Sequence, residues 1–217
     1  MATRSGATGA NVSRTTAADL DAVSNYVRNQ FGYETGPYDN YSTEIERTKM
    51  LARIDWNISD DHRLSVRYNY VKSTNDQTTN ATSAPNPRAS SSRWSRNSMA
   101  YANANYGFED LVSSWTVDLK SKFGKFNNQL LGTYTNIETN RTSGSSPFPF
   151  IDIWEGGDAY ISLGYELFSY QNAVKNKVYT ITDNISYNVG KHSLTAGLAF
   201  DYLYFGNSFL RYGTSYY

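Results

Sequence analysis

One stretch limits what this chain can become. Residues 49–72 read KMLARIDWNISDDHRLSVRYNYVK. Met50, Ala52, Ile54, Trp56 and Ile58 alternate with Leu51, Arg53, Asp55 and Asn57. After residues 59–63, Leu64, Val66, Tyr68 and Tyr70 alternate with Ser65, Arg67 and Asn69. Successive side chains of a strand point to opposite faces, so each arm has one apolar and one polar face. Folding the arms back about Asp61 places Asp55 opposite Arg67, Arg53 opposite Asn69, Trp56 opposite Val66 and Ile54 opposite Tyr68. One register satisfies both faces, which predicts an antiparallel hairpin. It leaves open whether the apolar face meets a protein core or lipid.

Composition narrows that choice. The chain has 217 residues, enough for a buried core. Yet Leu, Ile, Val and Phe are sparse, Tyr reaches 19, Asn, Ser and Thr are abundant, and the mean hydropathy is −0.60. Such polarity also marks disorder, but alternating aromatic strands argue against it. Membrane barrels have this bulk composition, because a polar lumen and polar loops dilute the lipid face. A net charge of zero without a basic run gives nucleic-acid binding no electrostatic support. The absence of cysteine rules out disulfides and Cys-based metal sites. No run of about 20 apolar residues occurs, which excludes a membrane-spanning helix but not a spanning strand. Residues 1–14 have no apolar h-region of a signal peptide, so the chain is expected to be incomplete at its N-terminus.

Along the chain, residues 1–14 read as disordered. A short helix follows over 15–31, capped by Thr15 or Thr16, with Asp19 in its first turn. Leu20, Val23, Val27 and Phe31 form a narrow apolar stripe and Gly32 a C-cap. A loop to residue 42 completes a first region (1–42), read as an extracellular loop with its helix. The second region, 43–217, carries strands expected at 46–58, 64–73, 114–123, 127–137, 177–188 and 193–205. Between them lie a long polar loop (73–97, with Pro85 and Pro87), a weakly strand-like 99–106, a turn at 107–112, and a long aromatic segment at 138–176. Asp183 breaks the alternation, sharing a face with Ile181 and Ile185, and a bulge there would reconcile it.

The connections alternate between short (59–63, 123–127, 189–192) and long (73–112, 138–176). Short turns at one end and long loops at the other are the signature of an outer-membrane barrel. Trp56, Phe123, Phe126 and Tyr187 flank short turns, while Tyr70, Tyr134, Tyr202 and Tyr204 lie about ten residues away, as two interfacial girdles would. The fold expected is therefore all-β: about six strands of a larger antiparallel up-and-down transmembrane β-barrel, with long extracellular loops and one loop helix. An open sheet of this size leaves unpaired edges in lipid, and the chain ends after a strand, so it reads as a fragment of the barrel wall.

Particular segments sharpen this. LARIDWNIS and HRLSVRYNY within 51–70, DLDAVSNYVRNQFGYETGPY (19–38), SPFPFIDIW (146–154) and HSLTAGLAFDYLYFGNS (192–208) resemble an Oar-like TonB-dependent outer-membrane receptor of the Bacteroidetes type. The likeness runs from about Val12 onward. It implies a barrel of about 22 strands occluded by a plug, energised through the TonB system, and taking up a large nutrient such as an oligosaccharide, peptide or metal chelate. It also implies the partners: outer-membrane lipid, the remainder of the barrel and its plug, TonB through parts absent here, and in some systems a surface lipoprotein.

Candidate site residues follow. Arg53, Asp55, Arg67 and Asn69 share the presumed lumen face, where wall-to-wall pairing competes with contact to substrate or plug. Ile54, Trp56, Tyr68, Tyr70, Leu198, Phe200 and Tyr202 are expected to face lipid or its interface. Trp94, Phe148, Phe150, Trp154, Tyr160 and Tyr165 lie on outer loops, where aromatics suit ligand stacking or pack together to order the loops. His62 and His192 sit at turn exits without a carboxylate cluster, and Gly156-Gly157 reads as a turn; no metal, cofactor or catalytic site is expected. The alternative is a soluble or surface-attached all-β carbohydrate-binding module, in which the Ala52/Ile54/Trp56 and Leu198/Phe200/Tyr202 rows would meet inside.

Overall fold

The hairpin forms, but about a different point. In a computed structural model, which describes residues 2, 3, 9–81 and 93–210, β1 (Ile45–Asn57) and β2 (His62–Gln77) pair antiparallel. Asn57 lies opposite Arg63, Trp56 opposite Leu64, Asp55 opposite Ser65, Ile54 opposite Val66 and Arg53 opposite Arg67. The Ile58 and Ser59 N–H groups both donate to the His62 carbonyl, at 3.0 and 3.2 Å. The turn is thus tighter than expected and centres on Asp60. Every pair shifts by two residues, which preserves both faces but separates Asp55 from Arg67.

In chain order the remaining strands are β3 (Met99–Ala100), β4 (Tyr106–Phe123), β5 (Phe126–Thr142), β6 (Ile151–Glu155), β7 (Asp158–Leu163), β8 (Ala173–Val189) and β9 (His192–Ser208). β1, β2, β4, β5, β8 and β9 form one antiparallel sheet in that order, open at β1 and β9. Gly124 and Gly190, at φ 61° and 57°, supply the left-handed backbone of two of its short turns. Two expectations are corrected here. Residues 107–112 belong to β4 rather than a turn, because the ladder continues past the apolar band. Gly107 fits there since a Cβ would come within 2.7 Å of Thr142 Oγ1. And Asp183 sits in an unbroken ladder between Leu130 and Leu198, with no bulge; its carboxylate accepts from Asn128 Nδ2 at 2.5 Å instead.

The long connections all emerge at one end of the sheet and fold together as a cap. Helix α1 (Ala17–Phe31) starts at Thr16, whose hydroxyl accepts the Asp19 N–H at 3.1 Å, and stops at Gly32 (φ 65°), whose N–H donates to the Arg28 carbonyl. Its Leu20 and Val27 are buried, whereas Phe31 is 62% exposed. They pack with Tyr33, Tyr101, Tyr160, Ile161 and Leu163, the last three on β7. β7 is the middle of a small sheet, parallel to β3 and antiparallel to β6, and Gly156-Gly157 closes the β6–β7 turn. Residues 2, 3 and 9–14 are held rather than disordered: the Thr3 N–H donates to the Thr15 carbonyl and the Arg14 N–H to the Arg96 carbonyl, both at 2.8 Å. Such tertiary bonds leave no periodic trace in sequence. Residue 1 and residues 4–8, Pro85, Pro87 and the C-terminal tyrosines lie outside the described residues.

The core therefore sits in the cap. Among the described residues, every fully buried apolar side chain lies outside the six-stranded sheet. Ile54 is 72% and Leu198 83% exposed, so the two rows that a sandwich would bury together stand uncovered.

Candidate functional site

The register gathers most apolar residues of the six strands on one face, with Asp183 among them, while Leu51, Leu131, Val178 and Leu203 fall on the other. Ala52, Tyr68, Trp115, Tyr134, Tyr179 and Tyr202 are consecutive cross-strand neighbours, as are Ile54, Val66, Val117, Gly132, Ile181 and Phe200. Tyr68 tilts onto Trp115 at 4.5 Å and Tyr134 onto Tyr179 at 4.8 Å. Ile54, Trp56, Tyr68, Tyr70, Leu198, Phe200 and Tyr202 all belong to this face.

The opposite face is polar, and the sequence-derived pair on it is not made. Asp55 binds Arg53 of its own strand at 2.9 Å, while Arg67 faces Arg53 and Asn69 faces Leu51 across the ladder. The two-residue shift explains both differences. His62 bonds Ser121 Oγ through Nδ1 at 2.9 Å and packs against Phe123, and His192 opens β9 on the exposed side of its turn. Among the described residues no three His, Asp or Glu side chains cluster as a metal site.

The six loop aromatics do not converge. Tyr160 is 7% exposed; its hydroxyl donates to Asp19 at 2.5 Å and accepts the Thr16 N–H, so it belongs to the core of the cap. Phe148 stacks on Tyr33 at 3.9 Å, and Phe150 lies under the Arg93 guanidinium at 4.5 Å. Trp154 is half-buried on β6 and Tyr165 sets its ring against the edge of Tyr170. Phe148, Phe150 and Tyr160 thus pack within the cap.

Trp94 differs. It is 65% exposed and lines a cleft of about 480 Å³ together with Tyr38, Tyr41, Met99 and Asn105. Its indole N–H donates to the Thr79 carbonyl at 2.6 Å; Thr79 in turn gives its N–H and hydroxyl to Asn105 Oδ1, and Asn105 donates to the Tyr41 hydroxyl at 3.0 Å. This chain of bonds fixes the ring at the wall of the cleft. The preceding residue anchors it. Arg93 binds Asp152 of β6 through two hydrogen bonds, at 2.7 and 2.5 Å, with side-chain exposures of 1% and 9%. Burial pushes the Tyr101 hydroxyl up from its ordinary range, and it donates to the Leu20 carbonyl at 2.5 Å. What the cleft can do is stack a flat ligand surface on Trp94 with tyrosine and amide groups at its rim. The sequence signalled Trp94 but not Tyr38 and Tyr41, although the run GPYDNY (36–41) concentrates aromatics there. Nothing local announced the Arg93–Asp152 pair, whose partners are 59 residues apart.

No helix among the described residues is long and apolar enough to cross a membrane. No curated protein and no solved structure matches the chain. Residues 4–216 match the model of the outer membrane beta barrel domain. That span contains the whole open sheet with its uncovered apolar face, the surface such a domain turns to lipid. The chain belongs to the outer membrane β-barrel domain family, and its place is the outer membrane.

Proposed function

We propose that the chain is part of the wall and outer loops of a TonB-dependent receptor that takes up a large nutrient: an oligosaccharide, a peptide or a metal chelate. The observation that carries this reading is the pre-formed aromatic cleft around Trp94, held in a folded cap at the long-loop end of the sheet. Ligand is captured there. The polar face, with Arg53, Asp55, Arg67 and Asn69, lines the lumen and holds a plug. The apolar face meets lipid through Ile54, Leu198 and Phe200, with Trp56, Tyr68, Tyr70 and Tyr202 at its interfaces. TonB acts on parts outside this chain, and a surface lipoprotein would dock at the cap. The chain binds and passes its ligand and performs no chemistry on it.

The test compares wild type with Trp94→Ala in isolated outer membranes, against panels of the three ligand classes. A stacked Trp at the centre of a site is worth about 2 kcal/mol or more, so affinity for one class should fall roughly 30-fold. Deleting TonB should stop uptake and leave binding intact. If Trp94→Ala binds every class as wild type does, the cleft is not the capture site.

A further inference from the structure

The polar face is divided by charge. On β8 and β9 it presents Thr180, Thr182, Asn184, Gly197 and Ala199, with Asp201 its only charged group near the middle of those strands. On β1, β2 and β4 it presents Arg53, Arg63, Arg67 and Lys120. Two cross-strand pairs there are of like charge: Arg53 faces Arg67, and Arg63 faces Lys120. Like charges directly opposite one another destabilise a sheet. Two carboxylates offset them in part, Asp55 bound to Arg53 at 2.9 Å and Asp118 within 3.8 Å of Lys120. Arg63 and Arg67, both exposed, make no ion pair among the described residues, and the turn carboxylates Asp60 and Asp61 make none with Arg63 or Lys122. A cleft of about 280 Å³ lies beside Arg63, bordered by Arg53, Asp55, Ser65, Asp118 and Lys120.

Spacing sets the kind of occupant. Arg63 and Arg67 are four residues apart on one strand, about 13 Å at ~3.3 Å per residue. No small anion bridges that distance. An extended polypeptide with a carboxylate at every fourth residue does, and each guanidinium can take a carboxylate in bidentate fashion. We infer that the β1–β2–β4 half of the polar wall docks an extended acidic polypeptide segment, with Arg63 and Arg67 receiving successive carboxylates. This rests on the reading of the polar face as a lumen wall, and it names the part of that wall and the charge of what lies against it.

The probe is a fluorescein-labelled 16-residue threonine peptide with Glu at every fourth position, measured by anisotropy on the complete receptor that contains this chain, purified in detergent micelles, beside the same peptide with Gln. The Glu peptide should bind at least tenfold tighter, and the preference should shrink as salt rises. R63Q/R67Q should abolish the preference. R47Q, on the same face but nearer the cap, should retain it. Unaltered heat-modifiable migration of each variant confirms that folding is preserved. Equal binding of the two peptides overturns the inference, and so does a preference that survives in R63Q/R67Q. Displacement of the Glu peptide by a few millimolar acetate or phosphate also overturns it, since that is a simple ion site. A protein that imports nothing yet keeps the Glu preference defeats the transport reading alone. One that imports its nutrient and binds both peptides alike defeats this inference alone.

Discussion

Removing Arg93 should loosen the cap without disturbing the sheet. The side chain is 1% exposed, and its guanidinium makes two bonds to Asp152, one to the Asn80 carbonyl at 2.5 Å, and a stacked contact with Phe150 at 4.5 Å. Arg93→Ala leaves Asp152 buried with Ser162 Oγ, at 2.7 Å, as a remaining donor. Breaking one side of a buried ion pair costs about 3–5 kcal/mol, because the orphaned charge has lost its water as well as its partner. At about 1.4 kcal/mol per decade, opening of the cap should rise roughly a hundred- to several-thousand-fold. Hydrogen exchange read by mass spectrometry resolves this, with peptides over 151–163 as reporter and 192–208 as the unaffected control. Arg93→Met with Asp152→Leu should open the cap less than either single change, since no charge then remains buried. A less than tenfold effect of Arg93→Ala, or a double variant as severe as the sum of the singles, would falsify the argument that burial of an unpaired charge holds this cap together.

The two faces can be tested by one-residue displacement. Phe200→Arg places a charge on the apolar face and should cost about 2–4 kcal/mol of stability in lipid, whereas Ala199→Arg, on the polar face, should be nearly neutral; urea unfolding in vesicles measures both, and equal costs would reverse the facing. Gly164 has φ 106°, and a Cβ there would stand 2.1 Å from the Pro149 carbonyl oxygen. Gly164→Ala should therefore cost at least the 1–3 kcal/mol typical of backbone strain (about that range) and increase proteolysis after 143–172; an unchanged digestion pattern counts against the contact. Asp19 is held below its usual value near 3.8, chiefly by the Thr16 hydroxyl and then by Tyr160. A depressed folded value means that the stabilisation is complete above pH 3.8 and lost as pH falls through the lower folded value. Circular dichroism of the cap on acidification should show this loss in wild type, and Asp19→Asn should remove that component; an identical acid profile in the variant would sink the assignment.

Much of the sheet was legible because it depends on period. Alternation of two is a local property, and it located all six strands and their apolar face, from Ile54 on β1 to Phe200 on β9. The helix was equally local: Thr15 or Thr16 and Gly32 announced its ends, and Thr16 is the cap. Extent was not. β4 reaches back to Tyr106 because β2 and β5 supply ladder partners there, though Asp110 and Leu111 break the alternation. Register was missed by two residues because a turn that sets Arg63 opposite Ser59 or opposite Asn57 keeps the same faces, so patterning is blind to the difference. Only the ladder decided that Arg53 would face Arg67.

The sequence by itself determined that this chain makes amphipathic strands with short turns at one end and long connections at the other, since both are written in the spacing of neighbouring residues. The tertiary structure alone decided that Ala2 and residues 17–38, 99–101 and 148–163 share one core, that Tyr160 serves that core while Trp94 lines a cleft, and that Arg93 finds Asp152. Those contacts join positions dozens of residues apart. Their free energy comes from burial and from hydrogen bonds completed across the cap, and no local pattern encodes which distant partner will complete them.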